Sequence, residues 1–377
     1  MRITYVLPSL AVGGAEYQSI NQLNELSKRG YATQLIVLSD IKYLIHLLDP
    51  QIEVHFMNQL DLKSVNIRSF RSILRIRNEF SKQITAFNPQ FIIAHLPVAQ
   101  LACRMIKAIN SGKSKLICYH HSTHFAIYPN DSLKRNLFQT FNNQLIKQDA
   151  GNIFISKAVQ DDVTSHMKLN NGVIINNAVP EVEVNSDQSS FFLQKFNLKE
   201  KQYYIIPGRI ERIKGQAFFL EAAAALIKKH KLTIVFAGTG GYVDHLQDII
   251  TANDLKDHVV FTGIVSNQEI LALMKHASFV IIPSLFEGFG NVAIEALMLG
   301  KTVIASNAGG LPEVITNGEN GYLFEKENAN SLNDLLKEVI ENPGQFEKNP
   351  SAQKQVYKTN YTIENQVTTM LSYLSNC

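Results

Sequence analysis

Four apolar residues, Phe279-Val280-Ile281-Ile282, run into Pro283, then into the turn Glu287-Gly288-Phe289-Gly290 and a helical pattern from Asn291 to Leu299. An unbroken apolar, β-branched run of this length reads as a strand buried on both faces, as in a parallel sheet. Pro283 has no N–H for the ladder and ends the strand; Gly300 closes the helix. A strand that passes through a short turn into a helix needs other strands beside it, so this stretch commits the chain to a wound α/β sheet. The helix start offers unpaired N–H groups at the carboxyl end of a strand, where open α/β sheets bind ligands. Glu287 and Glu295 stand eight residues apart, one before the helix and one inside it. This combination suits a ligand with an anionic part and a hydroxyl-bearing part.

The same alternation fills the chain. Strand patterns at 2–8, near 51–56, and at 91–95, 115–120, 152–156 and 172–176, with YATQLIVLS after Gly30, alternate with helical ones, including one near 131–148. The polar, aperiodic stretch 180–190 has the composition of a linker. A second series follows, with strands at 202–207, 232–238, 258–263, 279–282, 302–306 and near 321–324. With 377 residues the chain is too long for one ordinary core. The expected fold is α/β: two Rossmann-like doubly wound parallel-sheet domains, 1–180 and 186–357, facing across a cleft. After an Asn/Pro/Gln-rich bend, residues 360–377 are expected to cross back onto the first domain as a helix.

Hydrophobic residues at 45% with 18% charged belong to a soluble globular protein. No apolar run approaches the roughly 18 residues a bilayer span requires. MRITYVLPSL leads straight into a strand without the pattern of a secretory leader, and Cys103, Cys118 and Cys377 lack metal-binding spacing. A cytoplasmic protein is expected. Up to Glu183 there are 19 Lys and Arg against 13 Asp and Glu, a balance of +6; the remainder carries 17 against 20, or −3. A basic first half fits an anionic partner surface. Within it, 66–82 places Arg68, Arg71 and Arg75 on one helical face and Ile67, Phe70 and Leu74 near another. Such a helix either lies on anionic lipid headgroups or packs on the sheet as a solvated surface helix.

Gly13-Gly14-Ala15-Glu16 joins the first strand to the first helix; the glycines either admit a phosphate or form a plain tight turn. The dinucleotide fingerprint fails there, and at Gly238-Thr239-Gly240 it fails again because Val243 holds the third glycine position. Arg209 and Lys214 leave the 202–207 strand at its carboxyl end, where two cations grip a diphosphate if they converge and are solvated surface if they do not. His120, His121 and His124 cluster past another strand end. Without a carboxylate or cysteine at ligand spacing they suit a sugar hydroxyl better than a metal. No Asp-x-Asp pair or Gly-x-Ser-x-Gly elbow occurs. No metal, cofactor or nucleic-acid partner is expected.

Taken in order, these motifs resemble the family 4 (group 1) retaining glycosyltransferases of the GT-B fold. The strongest piece is Glu287-Gly288-Phe289-Gly290 followed by Glu295-Ala296. Gly13-Gly14-Ala15-Glu16, Gly208-Arg209 with Lys214-Gly215, Phe261-Thr262-Gly263, Gly309-Gly310-Leu311-Pro312-Glu313-Val314 and Asn320-Gly321-Tyr322-Leu323 extend it over nearly the whole chain. The resemblance implies a nucleotide-sugar donor, expected to be UDP-linked. It implies Glu295 on the ribose, Arg209 and Lys214 on the diphosphate, and Glu287 beside the transferred sugar. By the same resemblance Gly13 and Gly14 approach the diphosphate, and the backbone of Gly288, Phe289, Gly290, Asn291 and Val292 meets sugar or phosphate. Gly263 and Ile264 join the donor site, and His121 rather than His120 contacts the sugar, since it falls just past the strand end. Two departures stand out. Asn291 replaces the commoner Leu, and Asn177 replaces a Gly, with a left-handed turn expected to survive on Asn.

The expected activity is retaining transfer of a hexosyl or N-acetylhexosaminyl group to an acceptor hydroxyl. The expected acceptor is a lipid-linked saccharide at the inner membrane surface, in cell-surface polysaccharide synthesis. Two alternatives are a sugar-nucleotide epimerase on the same fold and a non-catalytic module that binds sugar nucleotide or lipid.

Overall fold

A computed structural model describes residues 1–57, 67–109, 113–122, 142–169 and 172–377, with the side chains of 67–72, 107–109 and 186–188 left aside. The chain divides into two compact units, Met1–Pro180 with Ile363–Cys377, and Glu181–Thr362. Among the described residues the first unit holds seven parallel strands: β1 (Arg2–Leu7), β2 (Ala32–Val37), β3 (Glu53–Phe56), β4 (Phe91–His95), β5 (Lys115–His120), β6 (Asp149–Phe154) and β7 (Gly172–Ile174). The second holds six: β8 (Tyr203–Pro207), β9 (Thr233–Ala237), β10 (Val259–Phe261), β11 (Phe279–Ile282), β12 (Val303–Ser306) and β13 (Gly321–Phe324). Their orders are β3-β2-β1-β4-β5-β6-β7 and β10-β9-β8-β11-β12-β13. Each sheet therefore reverses its winding beside its first strand, at β1/β4 and at β8/β11. Doubly wound sheets bind ligands outside the carboxyl ends of the strands at such points.

The apolar runs become strands because both sheet faces are covered. Phe279, Val280 and Ile281 of β11 are wholly buried. Phe279 and Ile281 join Ile206, Phe236 and Ile304 from neighbouring strands and Phe219 and Leu220 from the helix Gln216–Lys229. Each such side chain contributes about 1.5–3 kcal/mol on leaving water. In the first unit, Val6, Ile36 and Ile92 of the sheet meet Ile73, Ile76 and Phe80 of the helix Ile67–Phe87.

The packed face of that helix is Ile73, Ile76 and Phe80, whereas Leu74 is 52% exposed beside exposed Arg75. The side chains of Ile67, Arg68, Phe70 and Arg71 lie outside the described residues, as does most of the helix expected near 131–148. Residues 186–190, read as linker, start the helix Ser186–Lys195. It is tied to the helix Asn267–His276 by Lys195 and Glu269 at 2.8 Å, a tertiary contact that a weak local pattern does not announce. The expected bend before the tail is also helical, over Pro343–Phe346 and Pro350–Asn360. Proline is welcome in a first helical turn, and Asn349 caps the longer helix by accepting from Ser351 and Ala352 N–H. Asn177 is not among the residues with positive φ, so the left-handed turn expected there does not form.

The C-terminal helix Ile363–Asn376 belongs to the first unit through a buried polar seam. Gln18 Nε2 donates to Gln366 Oε1 at 2.7 Å, Gln366 Nε2 to Asn176 O at 2.8 Å, and Asn152 N–H to Tyr373 Oη at 3.1 Å. Gly151 has no Cβ because one would overlap the Tyr373 hydroxyl.

Candidate functional site

In the second unit the loops that follow β8, β11 and β12 converge at the β8/β11 switch point. Leu285 N–H donates to Ile213 O at 2.8 Å, and Gly310 N–H to Glu287 O at 3.1 Å. Two glycines make this approach possible. Gly215 (φ +69°) lies where a Cβ would overlap the Pro283 carbonyl oxygen, and Gly309 (φ +54°) where one would overlap the Glu287 carbonyl oxygen. Both need the left-handed conformation that costs other residues most.

Between these glycines Lys214 Nζ donates to Glu287 Oε2 at 2.7 Å, with the lysine side chain 25% and the glutamate 16% exposed. The pair is half-withdrawn from water and still open to a ligand. Arg209 does not join it. Its guanidinium pairs with Glu211 at 2.9 Å and is 69% exposed, a solvated cation at the end of β8. Gly290 (φ +113°) caps the helix Asn291–Met298, whose first N–H groups start where the turn ends. Asn291 and Val292 are half-buried there, but Phe289 is 1% exposed and packs edge-on against Tyr361 at 6.0 Å. Its side chain is thus turned into the second unit, and its backbone is the part that lies along the turn.

Glu295 lies one turn into the helix and is half-buried. Burial pushes its carboxyl up to about 7, because among the described residues no cation or donor compensates the lost hydration. Gly263 (φ +66°) and Ile264, which is 89% exposed, follow β10 at the same edge of the sheet. One strand, β9, lies between β10 and β8.

The first unit brings its own residues together at the ends of β4 and β5. His120 closes β5, stacks on Phe154 at 4.9 Å and meets Asn152 Oδ1 at 3.1 Å, a structural position inside the sheet layer. His121, just past the strand, stacks on Tyr119 at 4.7 Å, and its Nε2 lies 2.8 Å from His95 Nδ1. Burial holds His121 down at about 3 and His95 well below the usual imidazole range. Both rings are therefore neutral at physiological pH. Ser19 Oγ lies 2.8 Å from Ala15 O and 3.1 Å from His95 Nδ1, so the serine, His95 and His121 form one chain of polar contacts. His121 Nδ1 has no hydrogen-bond partner among the described residues. Gly13 has an extended backbone that any residue adopts, and Gly14 opens the helix Gly14–Lys28. His124 lies outside the described residues.

Sequence reasoning missed two parts of these sites. His95 ends the apolar run FIIAH at a switch-point strand, a signal equal to the one that picked out His121. Ser284, three residues before Glu287, is the other; its spacing is that of a hydroxyl reaching a carboxylate across one turn.

With these two groups in place, comparison with known proteins defines the class. Residues 188–359 match the family of glycosyl transferases group 1, and residues 12–182 match Glycosyltransferase Family 4. The chain belongs to the family 4, group 1 glycosyltransferases, and its two parallel-sheet units are those of the GT-B fold. An uncharacterised glycosyltransferase of Methanocaldococcus jannaschii is 27% identical over 312 residues, 81% of this chain and 82% of the relative. Another from the same organism is 29% identical over 187 residues, so that the match spans about half, 48%, of each chain. The crystal structure of Anabaena HepE with UDP and glucose superposes with a TM-score of 0.82 over 100% of both chains at 20% identity.

Proposed function

We propose that this chain transfers a sugar from a nucleotide diphosphate, with UDP as the nucleotide, to an acceptor hydroxyl with retention at the anomeric carbon. The observation that carries this reading is the β8/β11 switch point, where Lys214 Nζ and Glu287 Oε2 meet at 2.7 Å beside the start of the helix Asn291–Met298. A cation and helix N–H groups suit a diphosphate; a carboxylate beside them suits sugar hydroxyls. The UDP and glucose complex of HepE, a structural neighbour, supports the choice of nucleotide.

In this reading Glu295 accepts from the ribose hydroxyls, which supply the donors its buried carboxylate lacks. Lys214 and the helix start stabilise the diphosphate as it gathers charge in the transition state, and Arg209 joins them by turning its exposed guanidinium from Glu211 to the ligand, together taking the place of a divalent ion. The bond from the anomeric carbon to phosphate breaks as the bond to the acceptor oxygen forms on the same face, and the acceptor proton passes to the leaving phosphate. His121 contacts the transferred sugar, and Gly13 and Gly14 approach the diphosphate.

The acceptor in this proposal is a lipid-linked saccharide of bacterial cell-surface polysaccharide synthesis. The basic balance of the first half supports it, as do Leu74 and Arg75, exposed side by side on the helix Ile67–Phe87. No helix among the described residues is long and apolar enough to cross a membrane, so contact would be peripheral. Sedimentation with anionic liposomes should carry the protein down in low salt and release it in high salt; absence of binding in both argues for a soluble acceptor.

A screen of sugar nucleotides for slow hydrolysis, run with and without a chelator, tests the central reading. Release of nucleotide from one donor, unaffected by the chelator, is the expected result. Conversion of the donor sugar with no acceptor present would identify an epimerase instead. Binding without nucleotide release under any acceptor would identify a non-catalytic module.

A further inference from the structure

The carboxylate of Glu287 is held on one side only. Lys214 Nζ at 2.7 Å and Ser284 Oγ at 3.2 Å both donate to Oε2, and Oε1 accepts from none of the described residues. The two donors differ in kind. Lys214 is a flexible ammonium with three protons and is accessible to an anion. Ser284 is 1% exposed, wedged between Pro283 at the end of β11 and the turn that carries Glu287. Its own carbonyl accepts from Ser306 Oγ at 2.5 Å, and Ser306, equally buried, is the last residue of the neighbouring strand β12. A line of hydrogen bonds thus runs from the end of β12 through Ser284 to one oxygen of Glu287.

We infer that Ser284 is a positioning residue for the donor site: it anchors Oε2 of Glu287 so that Oε1 stays turned to the transferred sugar while Lys214 is drawn to the diphosphate. This rests on the reading of Lys214 and Glu287 proposed above. The physical reason is that a diphosphate competes with Oε2 for the ammonium. Once the ammonium is shared, the carboxylate keeps its orientation only through a donor the ligand cannot reach, and a hydroxyl buried behind the turn meets that condition.

Calorimetric titration of the full chain tests this, with UDP and with UDP-glucose, UDP-galactose and UDP-N-acetylglucosamine as probes. Four proteins are compared: wild type, Ser284→Ala, Glu287→Ala and the double variant. A hydrogen bond to a charged group predicts that Ser284→Ala weakens the tightest-binding UDP-sugar by about tenfold or more and leaves UDP within about twofold. In the Glu287→Ala background the same change should cost nothing further, because its acceptor is gone. Ser306→Ala, one bond further out, should give a smaller loss of the same kind and keeps the question open to measurement if Ser284→Ala does not fold. Equal losses for UDP and UDP-sugar, additive losses in the double variant, or no loss would each overturn the inference alone. A wild-type chain that binds none of the four probes would overturn it together with the proposed site.

Discussion

Lys214 Nζ lies 2.7 Å from Glu287 Oε2 although 73 residues separate the two in the chain. They meet because β8 and β11 are neighbours in the sheet and because Gly215 admits the carbonyl of Pro283 where a side chain would stand. The pair satisfies the lysine when no ligand is present and offers an anion a cation already in place.

Replacing Lys214 by alanine should depress turnover by about 10²-fold or more if its charge stabilises the departing diphosphate. Steady-state transfer or slow donor hydrolysis measures this. Turnover near that of the wild type would remove Lys214 from the mechanism.

Glu295 sets a pH dependence whose sign is fixed by burial. Its carboxyl is raised from 4.5 to about 7, so between those values the folded chain holds a proton that the unfolded chain has released. The stability this group contributes is therefore full below 4.5 and falls as pH rises, until the carboxyl is ionised above about 7. Glu295→Gln should melt at a higher temperature than wild type in alkaline buffer and at the same temperature in mild acid. The same variant should bind UDP more weakly in alkaline buffer, which calorimetry would show; unchanged affinity would count against the ribose role.

The closeness of the site loops depends on glycine, and Gly215→Ala should disrupt it. The left-handed conformation alone costs a Cβ-bearing residue about 1–2 kcal/mol, and overlap with the Pro283 carbonyl adds to that. Gly318 (φ +83°) has open space where its Cβ would stand, so Gly318→Ala should cost only the backbone term. Denaturant midpoints of the two variants should differ in that order, and equal values would show that the loops are not closely packed.

Arg104 and Asp149 form a buried fork in the first unit. Arg104 Nε reaches Oδ1 at 2.9 Å and a terminal nitrogen reaches Oδ2 at 2.6 Å, with side chains 1% and 2% exposed. Arg104→Met should lower stability by about 3–5 kcal/mol because it leaves a buried carboxylate without its cation. Replacing both residues by apolar ones of similar size should cost less, and urea unfolding separates the two cases.

Much of this architecture was legible beforehand. The apolar runs at 91–95, 115–120 and 279–282 became strands, since a run too short and too β-branched for a helix satisfies its backbone and buries both faces only in a sheet. Gly215, Gly309 and Gly310 drew attention through resemblance, but the physical need for two of them, the carbonyls of Pro283 and Glu287, is visible only in three dimensions. At Phe289 the turn was read for its backbone alone, and the packing of its side chain on Tyr361 came only with the fold, because a residue's neighbours in space decide which way an aromatic is buried. In the helix Ile67–Phe87 the period marks more than one apolar face, and the sheet takes that of Ile73, Ile76 and Phe80.

By itself the chain's pattern determined that strands and helices alternate, that the sheets are parallel, and that a carboxylate turn leads into a helix at 279–300. These follow from local rules of burial and backbone chemistry. Only the tertiary structure decided that Lys214 and not Arg209 pairs with Glu287, that Ser284 and Ser306 stand behind that carboxylate, and that Glu295 has no cation or donor beside it among the described residues. Ion pairing, hydrogen bonding and desolvation depend on distances of a few ångströms between segments far apart in the chain, and those distances exist only once the strands have found their order.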